Sequence, residues 1–138
     1  MPHLRMSLLR PGRTLRPVAE RINVSSGSEF EAAVGYSRAV RVGAHVFVAG
    51  TTGRGDSASA QARDALVRIA AALGDVGASL TDVVRTRMFV TDITAWREIG
   101  SVHDEVFGAV RPAATMVEVA ALISPELVVE IEVDAIVP

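Results

Sequence analysis

From Val129 to Ala135 the chain alternates strictly between apolar and charged residues, with Val137 continuing the apolar set. Successive strand side chains point to opposite faces of a sheet. The run is therefore a strand with Val129, Ile131, Val133, Ala135 and Val137 on a core and Glu130, Glu132 and Asp134 on the far side. Three carboxylates in a row repel one another unless cations meet them. Arg85 and Arg87, two residues apart in "VVRTRMFV", have the spacing of cross-strand partners. Such pairs on a wet surface contribute at most about 1 kcal/mol each, whereas the same face lining an interface or cavity carries function.

The other elements follow from the same periodicities. "ERINV" reads as a short first strand, "SSGSEFE" as a loop, and "YSRAVRVGAHVFVAG" as two strands joined at Gly43-Ala44 in a hairpin. Residues 58–76 carry the clearest helical stripe: Ala62, Leu66, Ile69, Leu73 and Val76, capped by Asp56 or Ser57 and stopped by Gly77. Arg54-Gly55-Asp56 before it is ordinary turn chemistry. In 83–90, Val84, Thr86, Met88 and Val90 are expected on one face and Arg85, Arg87 and Phe89 on the other. A second helix covers "ITAWREIGSVHDEVF", its stripe formed by Ala95 or Trp96, Ile99, Val102 and Val106. After Arg111-Pro112 comes a strand containing Glu118. A turn at Ser124-Pro125-Glu126 is expected to join it to the final strand as a hairpin. Strands segregated from two helices that cover one face make an α+β layer. The opposite face, with Phe47, Phe89 and Met116 among Arg85, Arg87 and Glu130, calls for burial against a second copy.

Composition removes several chemistries. The chain has no cysteine, so disulfides and thiol nucleophiles are excluded. All 14 basic residues are arginine, so no lysine can form a Schiff base. His3, His45 and His103 lie too far apart to suggest a metal site. Residues 1–20 are basic, hold three prolines and read as a flexible extension; residues 21–138 form the domain. The net charge is −2, but residues 1–21 carry +4 and the remainder −6, which disfavours nucleic acid as a partner of the body. No apolar run has the ~20 residues of a membrane span, and a cytoplasmic location is expected.

Nucleophile elbows and phosphate loops are absent, and "GTTGRG" lacks the lysine of a Walker loop. The remaining candidates are the carboxylates Glu118, Glu130, Glu132 and Asp134. A carboxylate on a strand among apolar residues can act as general acid and base on water; its structural alternative is an ion pair with arginine. Tyr36, the one tyrosine, can orient a ligand or simply pack.

The stretches "GYSRAVRVGAHVFVAGTT", "QARDALVRI", "VVRTRMFVTDI", "RPAATMVEVAAL" and "VVEIEVDAIV" resemble, in order, the Rid family, also called YjgF. The resemblance implies a chorismate-mutase-like fold and a homotrimer. Its sheets form a central barrel, and small-molecule clefts lie between subunits. It also implies cofactor-free hydrolysis of imines and enamines to a keto compound and ammonia. RNA cleavage, attributed to some members, suits the acidic body poorly. The family's water-positioning glutamate falls on Glu130 and its cleft tyrosine on Tyr36. Gly50, Thr115 and Met116 fall on cleft-lining positions. The chain departs from the family at the arginine that clamps a substrate carboxylate, which is here Ala114, and Arg111 is the nearest basic substitute. Ala49 and Met116 stand where serine and cysteine are common, and the loop from Gly53 to Gln61 is short. Alanine supplies neither charge nor donors, so a 2-imino acid is not the expected substrate. The reading is an imine or enamine hydrolase for a neutral or aromatic ligand, or a ligand-binding trimer without chemistry.

Overall fold

The computed structural model describes residues 20–138; the proposed extension, apart from Glu20, lies outside them. The strands are β1 (Arg21–Val24), β2 (Ala39–Val42), β3 (His45–Thr51), β4 (Val83–Val90), β5 (Ala113–Glu118) and β6 (Val129–Ile136). The helices are α1 (Glu29–Val34), α2 (Ala58–Asp75) and α3 (Trp96–Phe107). One six-stranded sheet has the order β1-β2-β3-β6-β4-β5, antiparallel except between β4 and β5.

The alternation in β6 behaves as expected. Val129, Ile131, Val133 and Ala135 are buried against α2, which lies across β3 and β6 and packs against α3. All five stripe residues of α2 are in this core. Ser57 accepts a hydrogen bond from the amide of Ala60 at the start of the helix. The Arg41 guanidinium reaches from β2 to donate 2.6 Å to the carbonyl of Val76, placing a cation at the negative end of the helix dipole. Gln61, buried in α2, donates to the carbonyls of Gly55 and Glu126 and accepts from the amide of Val128. It thereby ties the helix to the approach of β6.

Four expectations need correction. The strands β5 and β6 do not form a hairpin: β6 inserts between β3 and β4, and β5 lies parallel to β4 on its other edge. A parallel neighbour needs a crossover connection, and α3 supplies it. Residues 29–34 form a helix where a loop was expected, making three helices. The Ser28 hydroxyl accepts from the amide of Phe30, and Gly35 ends the turn with φ 87°. Six residues are too few to show a helical period. In β4 a bulge between Val83 and Arg85 reverses the parity of the first residues, so Val83 is buried at 3% exposure and Val84 is 43% exposed. In α3 the expected stripe holds with Ala95 as its first member: Ile99 and Val102 are buried, Ala95 and Val106 pack against the core, Phe107 joins them, and Trp96 is half exposed beneath the Arg97 guanidinium. Met116 lies opposite Met88 and packs against the helix-covered core, so it is not on the charged face.

The face without helices carries Val42, Phe47, Ile136 and Val117, all at least one-third exposed, around the charged row. There Arg87 pairs with both Glu132 (3.3 Å) and Asp134 (3.2 Å). Arg85, although opposite Asp134 in register, makes no ion pair among the described residues.

Candidate functional site

The site begins with a bulge in β3. Val48 is opposite Val133 and Thr51 opposite Ile131, so Ala49 and Gly50 together face one residue of β6. A bulge takes carbonyls out of the sheet ladder, and buried carbonyls need other donors. Arg38, just before β2, supplies them. Its Nη1 donates to the Gly50 carbonyl (2.9 Å), to the Thr51 hydroxyl (2.7 Å) and, at 3.4 Å, to the Ala49 carbonyl. The Thr51 hydroxyl in turn donates 2.8 Å to the Ala49 carbonyl.

The rest of the Arg38 guanidinium meets Tyr36 and Glu31. Nη2 lies 3.4 Å from the Tyr36 hydroxyl, and Nε lies 3.9 Å from the Glu31 carboxylate. Glu31 is buried in α1 and accepts hydrogen bonds from the hydroxyl and the amide of Ser26. The Ser26 hydroxyl is the main reason its carboxyl is held below the usual carboxylate range, against the opposing effect of burial; Arg38 adds a smaller push in the same direction.

Glu130 leaves β6 on the helix-free side and lies over the α-carbon of Gly50. A β-carbon there would sit 2.9 Å from Glu130 Oε2, so glycine makes room for the carboxylate. Among the described residues Glu130 makes no hydrogen bond or ion pair. Burial raises its pKa first, repulsion from Glu132 raises it further, and Arg38 opposes both. Its neighbour Glu132 is neutralised by Arg87, whereas Glu130 stays available.

Tyr36, Arg38, Gly50 and Glu130 line one cleft of about 980 Å³. Ser25, Ser26 and Thr51 add hydroxyls, and Phe30, Val34 and Ile123 form an exposed apolar wall. The charged lining is Arg38 and Arg68 against Asp75, Glu126 and Glu130. Arg68 is occupied by Asp64 at 3.1 Å and by the Thr52 carbonyl. The cleft is thus weakly acidic, polar at its floor and apolar at its rim, the usual make-up of a small-molecule site. No group of histidines and carboxylates among the described residues has the geometry to hold a metal ion.

Three of the expected site residues, Tyr36, Gly50 and Glu130, therefore meet. Arg111, Thr115 and Met116 do not join them within this chain. Thr115 is exposed on β5, two strands from β6. Met116 faces the core, and Arg111 sits at the end of α3 with φ 55°, its amide donating to the Phe107 carbonyl. Sequence reasoning missed Arg38, Ser26, Glu31 and Ile123. For Arg38 a signal existed: it shares strand parity with Val40 and Val42, which puts it on the same side of the sheet as Glu130.

The family model described as Endoribonuclease L-PSP matches residues 26–137. The chain belongs to the YjgF/Rid family. A crystal structure of the YjgF-family protein Rv2704 from Mycobacterium tuberculosis is 66% identical with a TM-score of 0.85, covering 86% of this chain and all of that one. A YjgF-family structure from Neisseria meningitidis is 25% identical with a TM-score of 0.78, covering 88% of this chain and 98% of that one. Among curated relatives, a RutC family protein of Pyrococcus abyssi is 35% identical over 70% of this chain and 82% of its own length. An uncharacterized protein of Streptomyces coelicolor is 34% identical over 81% of this chain and 89% of its own. The two solved relatives share this fold over most of their length.

Proposed function

We propose that this Rid-family protein hydrolyses an imine or enamine in the cleft around Glu130, without a metal or organic cofactor, as a cytoplasmic homotrimer. The observation that carries the reading is Glu130 itself: a carboxylate without a partner among the described residues, half-buried and shifted upward by burial, facing a cleft it shares with Tyr36. A carboxylate so placed takes a proton from water as the water oxygen attacks the C=N carbon. It gives that proton to the nitrogen, forming the carbinolamine, then takes the proton of the carbinolamine hydroxyl and passes it to the amine as the C–N bond breaks, leaving a carbonyl and ammonia. An enamine enters the same path after protonation at carbon.

The lining shapes the substrate. With Ala114 in the position of the carboxylate clamp, and with Arg38 engaged by the β3 bulge and Arg68 by Asp64, the described residues of one subunit leave no free cation in its own cleft for a substrate carboxylate. A neutral imine or its cationic iminium suits the acidic floor, and an aliphatic or aromatic substituent suits the wall of Phe30, Val34 and Ile123. In the trimer we propose, Thr115, exposed on β5, and Arg111, exposed just before it, are expected to line a neighbouring subunit's cleft rather than this one. The same acidic balance disfavours RNA, despite the name of the matching family model.

The test is ammonia release from freshly generated imines that differ in side chain and in the presence of a carboxylate. The wild-type protein is expected to favour an apolar imine without a carboxylate. Glu130→Gln is expected to lose at least about a hundredfold in rate. Equal rates in the two proteins remove Glu130 from the chemistry. Binding of such ligands without turnover favours the second reading, a non-catalytic ligand-binding trimer, which the alanine at position 114 supports.

A further inference from the structure

Of the two arginines that line the cleft, Arg68 is held by Asp64 and Arg38 is packed into the floor. Arg38 touches neither solvent freely nor a surface carboxylate; its side chain is 14% exposed and has a partner on nearly every side. Those partners are unusual. Two are carbonyls of the β3 bulge, one is the Thr51 hydroxyl that itself holds Ala49, and one is Glu31, a buried acid from a different element. An arginine fork is rigid and planar, so fixing its Nε side fixes where its Nη donors point.

Gly50 links this cluster to Glu130. Its carbonyl accepts from Arg38, and its α-carbon is the surface against which the Glu130 carboxylate rests. Moving Gly50 moves that ledge. The fork also brings a positive charge to Glu130 without forming a pair that would occupy it. The other groups facing Glu130 do not replace this. Glu132 beside it on β6 repels, Phe89 opposite it on β4 is uncharged, and Arg68 from α2 is held by Asp64. Asp75 and Glu126, across the cleft, are acidic, and the Tyr36 hydroxyl is neutral.

We propose that Arg38 is a positioning residue of the cleft: by holding the carbonyls of Ala49 and Gly50 in the β3 bulge it fixes the ledge under the Glu130 carboxylate and keeps a cation facing it. Glu31, anchored by Ser26, lies 3.9 Å from Nε and sets an opposite charge on that side of the fork. The significance for catalysis rests on the role proposed for Glu130, but the arrangement itself does not, and it is measurable without a substrate.

The experiment is a carbon-13 NMR titration of glutamate side-chain carboxyls in the full-length protein, with the Glu130 signal assigned by its absence in Glu130→Gln. In Arg38→Met the Glu130 carboxylate is expected to bind its proton at least about threefold more tightly, a midpoint shift of roughly half a unit. Arg38→Lys keeps the charge but cannot serve two carbonyls from a fixed fork, so its midpoint is expected to move toward that of Arg38→Met. A Met variant that titrates like the wild type overturns the proposal. A Lys variant that titrates like the wild type also overturns it, because charge alone would then suffice and the bulge would play no part. If far-UV circular dichroism shows that Arg38→Met does not fold, Arg38→Gln, uncharged but able to donate to one carbonyl, takes its place under the same criterion. A protein that turns over no imine leaves this result intact, so the two readings fail separately.

Discussion

His103 Nε2 on α3 lies 2.8 Å from the hydroxyl oxygen of Thr86 on β4, a residue with no solvent exposure. The imidazole also packs against Phe107, with ring centroids 4.8 Å apart. This contact is the polar fastening of α3 to the sheet. Removing the ring strands a fully buried hydroxyl. His103→Ala is expected to destabilise the fold by about 1–3 kcal/mol, while the near-isosteric Thr86→Val costs less because the half-buried imidazole can turn to water. Urea unfolding of the two variants checks the order.

The same histidine makes stability depend on pH. Burial lowers its pKa, with Asp104 partly opposing. An unfolded histidine then takes up a proton at a higher pH than the folded one. Its stabilising contribution is complete above the unfolded value of about 6.5 and is lost as pH falls through the depressed folded value. Midpoints of urea unfolding between pH 5 and 8 should fall on the acid side in the wild type, and less steeply in His103→Gln.

Glu130 gives the opposite sign. Its folded pKa is raised, so the folded protein holds the proton more tightly, and the charged form costs stability as pH rises through the unfolded and then the folded value. Glu130→Gln is therefore expected to melt above the wild type at pH 7, with the gap closing in acid. A lower melting temperature at pH 7 would show that the carboxylate is held by contacts that favour its charge.

Two glycines near the cleft separate structure from function. A β-carbon on Gly53 would lie 2.2 Å from the Gln61 carbonyl oxygen and 2.6 Å from the Ala65 amide nitrogen, both backbone atoms of α2. Gly53→Ala is expected to cost about 1–3 kcal/mol or more through overpacking. The three atoms nearest a β-carbon on Gly50 all belong to the Glu130 side chain, which can move, rather than to backbone. Gly50→Ala should melt near the wild type while displacing the carboxylate, and comparing melting temperature with the Glu130 carbon-13 signal distinguishes the two cases.

The helix-free face is the expected subunit contact. For the proposed trimer, light scattering is expected to give three times the 14.6 kDa of the chain. Phe47, 49% exposed and opposite Asp134, lies at the centre of that face. Phe47→Glu adds a carboxylate to a row that already has three and is expected to yield a monomer. A trimer that survives it places the contact elsewhere.

Local patterns foretold the elements better than their arrangement. The alternation of β6 and the stripe of α2 are visible because each side chain reports its own burial. The partner of β6 is a different matter. Its insertion between β3 and β4 pairs it with residues about 40 to 90 positions earlier, and no periodicity encodes that. Val84 shows a finer limit, since one bulged residue reverses the parity on which the reading depends. At the site, Glu130 and Tyr36 stood out through resemblance. Arg38 looked like any strand arginine, because its role is set by bulge carbonyls that exist only once β3 has folded.

The central place of β6 has a consequence for synthesis. Without residues 129–136 the described strands fall into two separate groups, β1-β2-β3 and β4-β5, with no ladder between them. A ribosome that has translated every preceding strand still holds two half-sheets, each with an open edge able to pair with a nascent neighbour. Neither the core under α2 nor the Gly50–Glu130 contact can form before that last strand leaves the exit tunnel. Folding of the sheet as one unit is thus expected to wait until this strand is outside the tunnel. Ribosomes stalled just short of this strand should carry the chain in its most aggregation-prone form.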